Sequence, residues 1–283
     1  MSPRPFLGTF TTPAVLCAIA FVAAMVAVLQ LSVRAYVPGS LDPGGFTWAN
    51  FAELGKPLYA RVFIDTVAIC AVTAVATLVV GYPLAYALVR VGHPVLRSAL
   101  LVVIVTPLFL GEVVRTYSWI IVLGSNGFVN AVLLGLGVIT RPIQLLFTGL
   151  GVVVALVHVT LPVMVIMLAA GLSHIDRDYA RAAASLGAGP VRVFLTVTLP
   201  LSMPGVVAGT TTAFAWTFSA FATPQLIGGG RVNMVSNLVY QLGFASFNFP
   251  FAATLCVAGL AVTAVLYAVL RIAARPLQRV EVH

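Results

Sequence analysis

At 283 residues, 61% hydrophobic and only 8% charged, the chain falls far short of the roughly 25% charged content of a soluble domain, which excludes a water-soluble globule. Its formal charge of +8 at pH 7 comes from scattered basic residues with no interleaved aromatic pattern, which argues against a nucleic-acid partner. Apolar stretches of the ~20 residues that a helix needs to cross a hydrocarbon core recur along the whole length, so most of the polypeptide is expected in lipid.

The first such stretch, about residues 13–33, follows a short leader carrying Arg4. It is longer than a secretory h-region and no convincing A-x-A site follows it, so a retained first helix is expected. Five more lie at about 62–89, 98–123, 148–172, 204–222 and 251–270. These runs are continuously apolar, unlike the alternating ~10-residue strands of a membrane barrel, and six transmembrane helices are expected. Pro83, Pro107 and Pro162 lie inside them, where a missing N–H invites bending, either for packing or to line a path. Cys17, Cys70 and Cys256 each sit in an apolar segment and read as small buried hydrophobes rather than a disulfide framework or metal site. No solenoid-type repeat and no linker between soluble domains is visible, so one membrane domain is expected over residues 1–283, with its core at 60–275 and a distinctive loop at 173–203.

The connections 34–61, 124–147 and 223–250 are long and rich in Gly, Pro, Asn and aromatics. The turn 90–97, the segment 173–203 and the termini carry Arg4, Arg90, Arg97, Arg177, Arg181, Arg192, Arg271, Arg275 and Arg279, against Arg34, Lys56, Arg61, Arg115, Arg141 and Arg231 on the other side. The positive-inside rule then places both termini and the 173–203 segment in the cytoplasm.

That segment reads HIDRDYARAAASLGAGPVRVFLTVTLPLSMPG from His174 to Gly205. A short helix is expected from Asp176 to Leu186: Asp176 and Asp178 suit the positive end of its dipole, and Ala182, Ala183 and Ala184 are strong helix formers. Gly187 and Gly189-Pro190 end it. Val191, Val193 and Phe194 open a second apolar run, which Pro200 and Pro204 interrupt. A small-faced helix outside the bilayer suits either a groove on another protein or a bed of lipid headgroups.

At Ala182, Ala183, Gly187, Leu199 and Pro200, with Gly187-Ala188 and Met203-Pro204-Gly205, the chain resembles the permeases of bacterial ABC importers. Their cytoplasmic loop carries Glu-Ala-Ala, a Gly four residues after the last Ala, and a later Leu-Pro pair. The position of the glutamate is Arg181 here, so a compensating acid on the partner, or Asp178 one turn earlier, would have to serve if an acid is needed. The resemblance implies a coupling helix seated in a cleft of the ATP-hydrolysing subunit, with Asp178, Arg181, Ala182, Ala183, Gly187 and Pro200 as its coupling residues. Pro107 to Asn130, with Arg115, Tyr117, Gly127 and Asn130, is similar to the first permease of spermidine/putrescine importers, as are Arg141 to Phe147 and Pro250 to Thr254.

What this likeness implies is an all-α membrane protein of six transmembrane helices, with type I ABC importer permease (MetI-like) architecture. It implies a multi-pass protein of the bacterial inner membrane whose partners are an ATPase subunit dimer, a second permease, a periplasmic solute-binding protein and the lipid bilayer. The implied cargo is a polyamine or related cation. Within the same family an amino-acid derivative, opine, phosphonate, thiamine or ferric iron stays open, and a secondary transporter is the reading from another class.

No Walker A sequence occurs; the sole lysine, Lys56, precedes Pro57, so this chain cannot grip ATP phosphates in that way. H-E-x-x-H and G-x-S-x-G are missing as well, and no enzyme activity, cofactor or metal is expected here, ATP and Mg belonging to the partner ATPase. Ionisable residues in spans are functional candidates by default. Asp65 lies near the outer start of the second stretch, and Glu112 and Arg115, three residues apart, share a face of the third. The last two either neutralise each other or leave Glu112, with Asp65, as a waypoint for a cation. Tyr117, Trp119, Trp216 and Tyr240 offer faces to ammonium groups or serve as interfacial anchors. His158, in the fourth stretch, is either a packing histidine or a ligand contact.

Overall fold

The computed structural model describes residues 3–40 and 42–278. Arg279 and His283 lie outside the described residues, as do the side chains of Arg4 and Arg275. In chain order the helices are α1 Pro3–Ser32, α2 Ala49–Glu53, α3 Pro57–Arg90, α4 Pro94–Val105, α5 Glu112–Leu123, α6 Phe128–Gly135, α7 Gly149–Ser173, α8 Arg177–Ser185, α9 Pro190–Val193, α10 Leu199–Leu201, α11 Met203–Ser219, α12 Ala222–Ile227, α13 Val235–Tyr240 and α14 Phe249–Gln278. A 3₁₀ turn, Thr106–Phe109, follows α4, and π-helical turns occupy Phe194–Thr198 and Gln241–Ala245.

Among the described residues, five helical segments are long and apolar enough to cross a bilayer: Thr11–Ser32, Pro57–Arg90, Glu112–Gly135, Gly149–Ser173 and Phe249–Ala273. A sixth is broken: Pro190–Leu201 and Met203–Ser219 meet at 69°. The architecture is therefore helical throughout its spans, with one correction in the third. The stretch 98–123 is not one rod, because α4 and its 3₁₀ turn stop at Phe109, Leu110 is extended, and a new helix starts at Glu112 after Gly111. The spanning segment runs on instead through Gly124–Gly127 into α6, residues expected to be a polar connection. Pro107, which cannot donate to a helical ladder, and Gly111, which has no side chain to stabilise one, locate the break.

Contacts divide the chain into two compact units, one of residues before 62 with 238–261, the other of 62–237 with the residues after 261. In the first, the chain leaving α1 forms a hairpin closed by the Arg34–Phe46 antiparallel bridge. The Ser32 carbonyl, an orphan at the end of α1, accepts from Asn50 Nδ2 at 3.0 Å and Thr254 Oγ1 at 3.0 Å, the side-chain satisfaction that a helix end in an apolar setting needs.

In the second unit, α7 is the most enclosed helix, with Val152, Leu156, Met164, Val165, Leu168 and Leu172 fully buried. Lipid tails are as apolar as these side chains, so close approach and interhelical hydrogen bonds have to supply the specificity. The crossing with α11 uses small residues: a Cβ placed on Gly171 would stand 3.1 Å from Gly205 Cα, and one on Gly209 would stand 2.6 Å from Met164 Sδ. Thr77 of α3 and Thr160 of α7 share a buried hydrogen bond of 2.9 Å. Of the three cysteines, only Cys70 is buried; Cys17 and Cys256 are exposed on this chain, a correction that follows from their helices presenting those faces to surroundings beyond the protomer.

Candidate functional site

The segment 174–205 folds as its local chemistry directs. Asp176 caps α8, its Oδ1 accepting from the Asp178 N–H at 3.0 Å. The helix ends at Gly187, whose φ of +85° lies in the left-handed region that glycine enters without penalty. There the Ala188 N–H reaches the Ala183 carbonyl at 3.1 Å and the Gly187 N–H the Ala184 carbonyl at 2.9 Å, the paired bonds of a Schellman stop. No residue of α8 is buried. Arg181 donates to Asp178 one turn back at 2.9 Å, both side chains being about three-quarters exposed (75% and 77%). Ala182 is exposed and Ala183 half-buried.

Beyond Gly189, the chain turns through α9, the π-helical turn and α10 to Ser202, where the 69° bend occurs. Pro200 is buried in α10, so the break falls two residues after it. Ser202 is fully buried; its Oγ donates to the Leu199 carbonyl at 2.9 Å and shares a 2.7 Å hydrogen bond with Tyr82 Oη of α3. The Tyr82 ring meets Phe194 edge-on at 5.3 Å. The exposed segment around α8 is thus joined to the span α11 by an elbow pinned to α3, a feature with no signature in the sequence because its partners are 120 residues apart.

The candidates of the path separate into two sets. Arg115 is buried, at 7% exposure, and donates through Nη1 to the Pro107 carbonyl at 2.9 Å. Of the two readings open for Glu112 and Arg115, the contact ion pair is not seen: among the described residues the ion pairs are Lys56–Glu53 and Arg181–Asp178. The helix break explains this, since an unbroken helix would offer the Pro107 carbonyl the N–H of Gly111, whereas here only a long bond from Leu110 at 3.4 Å competes for it. One turn along α5, Trp119 donates Nε1–H to His158 Nδ1 of α7 at 3.2 Å, with the rings edge-on at 5.4 Å. An indole is a donor only, so His158 Nδ1 carries a lone pair. Thr116 contacts Thr223 of α12 at 3.5 Å. Arg115 is thus buried against a backbone carbonyl, while Trp119 and His158 are half-buried and bonded to each other.

Asp65, Glu112, Tyr117 and Trp216 form the other set, all exposed on this chain. Asp65 and Glu112 lie in spanning segments with no ion pair among the described residues. A lone carboxylate facing lipid is costly, which keeps both residues candidates for the path.

The fold extends over nearly the whole of a solved transporter subunit. A chain in the crystal structure of a bacterial alginate ABC transporter, in complex with alginate pentasaccharide-bound periplasmic protein, superposes with a TM-score of 0.76 at 17% identity, covering 98% of this chain and 96% of that one. In sequence, the chain is 33% identical over 208 residues to the spermidine/putrescine transport system permease protein PotB of Escherichia coli, covering 74% of this chain and 75% of the relative. It is 32% identical over 207 residues, 73% of this chain and 76% of the relative, to the molybdenum transport system permease protein ModB of Mycobacterium bovis. Residues 77–280 match the family model described as the binding-protein-dependent transport system inner membrane component. With that match covering the broken span, the elbow and α8, the chain belongs to the family of multi-pass inner-membrane permease components of binding-protein-dependent ABC importers, in which ATP hydrolysis is the work of a separate subunit.

Proposed function

We propose that this chain moves a small cationic solute of polyamine type from an extracytoplasmic binding protein into the cytoplasm, as a single permease domain with both termini cytoplasmic. It pairs with a second permease and two copies of an ATPase, which hold the ATP and Mg. The observation that carries the coupling role is α8, a self-capped helix with no buried residue. It is joined through the Ser202 elbow to α11. ATPase closure displaces α8, the elbow passes that displacement to α11, and a pre-existing inward/outward equilibrium is biased. Ala182, Ala183 and Gly187 let a partner's backbone approach closely, while Asp178, held by Arg181, is the acid available to it.

The PotB relative supports the cargo, but the ModB relative, almost as similar, means that identity alone does not choose a solute. The carboxylates favour the cation. Asp65 and Glu112, exposed and unpaired in their spans, attract a cation and repel an oxyanion. Tyr117 and Trp216, also exposed, add aromatic faces.

Affinity purification of the tagged chain from its native membrane, with mass spectrometry of what stays bound, tests the assembly. An ATPase, a second permease and a solute-binding protein are expected, and recovery of a flux-competent chain alone would overturn it. For the path, Glu112→Gln is expected to slow uptake of a cationic solute by about tenfold without lowering the amount of assembled complex. Equal losses of both would assign Glu112 to assembly.

A further inference from the structure

A separate site lies in the first compact unit, on the hairpin and the loop that precedes α14. A cavity of about 120 Å³ is lined by Tyr36, Asp42, Phe247 and Phe249, with Pro43 and Pro250 among the rest of its wall. Local bonding holds each part in place. Tyr36 donates its hydroxyl to the Ser246 carbonyl at 3.0 Å, tying the hairpin to the second loop. The Asp42 N–H donates to Ser40 Oγ at 3.0 Å, which sets the acid at the cavity wall. Phe247 is held at a φ of +51°, a conformation that bulky residues rarely adopt. Asn248 then caps α14, its Oδ1 accepting from the Phe251 N–H at 3.1 Å, and Phe247 and Phe249 meet edge-on at 6.2 Å.

Asp42 has no ion-pair partner among the described residues, and apart from Ser40 the walls around it are aromatic and aliphatic. A carboxylate supplies the charge for a cation, aromatic faces attract an ammonium through their quadrupoles, and the apolar walls accept a short alkyl stem. An anion would be repelled, and a neutral solute would gain nothing from the acid. Interfacial anchoring accounts for exposed aromatics singly, but not for three of them gathered around one unpaired carboxylate in a cavity.

We infer that the Tyr36–Asp42–Phe247–Phe249 cavity binds the primary ammonium end of an alkylamine, as a holding site distinct from Asp65 and Glu112. The inference shares the cationic-cargo reading, and the experiment separates the two. Saturation-transfer NMR on the assembled importer in lipid nanodiscs, with n-butylammonium as probe and n-butanol as its neutral counterpart, reads binding directly. Saturable butylammonium binding is expected, about tenfold weaker in Asp42→Asn and about threefold weaker in Phe247→Leu, with none for n-butanol. Asp42 is exposed, so its substitution leaves the fold intact. Binding unchanged in Asp42→Asn, or equal binding of n-butanol, would overturn the site while leaving amine uptake, and with it the cargo reading, untouched. A solute-binding protein that carries no amine would remove the cargo reading and leave the butylammonium result standing. If Asp42→Asn weakened docking of the solute-binding protein and not the probe, the acid would serve a lysine of that protein and the proposal would fall.

Discussion

Helix α8 and the α7–α11 crossing belong to the same compact unit, yet α8 satisfies its backbone along the chain while the crossing is completed only across it. Asp176 closes one end of α8 and Gly187 the other, and none of its side chains is buried. At the crossing, Gly171 and Gly205 stand backbone to backbone, with no room for a methyl group at ordinary contact distance. A helix whose ends are closed by its own neighbours along the chain leaves most of its surface free for a partner. A crossing that consumes its own surface is finished, and can only be moved as a body.

The largest effect is expected at the crossing. Gly205→Leu would place Cβ 3.0 Å from the Met167 carbonyl oxygen and 3.3 Å from Gly171 Cα, neither of which can yield as a flexible side chain would. A loss of about 3 kcal/mol is expected from this overpacking, seen as disappearance of the monodisperse peak in fluorescence-detected size exclusion; a wild-type peak would break the comparison at its rigid end.

Next in size is Gly187→Trp. Nothing in the chain lies within 4 Å of a Cβ at Gly187, so the protein should still insert at near-normal levels while transport is abolished, because the bulk meets the partner rather than this protomer. Gly187→Ala sharpens the result: it shares the positive-φ cost of about 1–2 kcal/mol without the bulk, and should retain most uptake. Full transport by the Trp variant would remove α8 as the docking surface.

The elbow between the two regions comes third. Tyr82→Phe removes the 2.7 Å bond to Ser202, at a cost of about 1 kcal/mol in stability. If the elbow transmits motion, ATP hydrolysed per solute imported should rise, and Tyr82→Phe with Ser202→Ala should be non-additive in a double-mutant cycle; additive effects and an unchanged ratio would leave only a packing contact. Smallest is the cap: Asp176→Ala should cost α8 about 1 kcal/mol. Faster amide exchange confined to residues 177–185 is the readout, and exchange spreading into α7 would show that α8 is less self-contained than its hydrogen bonds imply.

The legible parts of the sequence are those governed by neighbours along the chain. Continuous apolar runs fix membrane residence, since burial in lipid needs only composition and length. The caps of α8 are legible for a similar reason: an Asp at its start and a Gly at its stop act within a few residues. Even the break in the third span left a trace in Pro107 and Gly111, but an all-apolar stretch has no periodicity to interrupt, and the trace reads as a bend. For Glu112 and Arg115 spacing alone leaves two readings open, because it assumes an unbroken helix, whereas the break frees the Pro107 carbonyl to accept from Arg115.

What only the tertiary structure decided is where polar groups find partners far along the chain: Trp119 with His158, Tyr82 with Ser202, Thr77 with Thr160. In lipid, nearly every surface is apolar, so hydrophobic pattern cannot say which faces meet. That choice rests on close approach of small residues and on hydrogen bonds water is not there to replace. By itself the sequence determined a multi-pass helical membrane protein with an exposed, self-capped helix between two of its spans. Helix pairing, the pinned elbow and the gathering of Tyr36, Asp42, Phe247 and Phe249 into one cavity depend on contacts that exist only once the chain has packed.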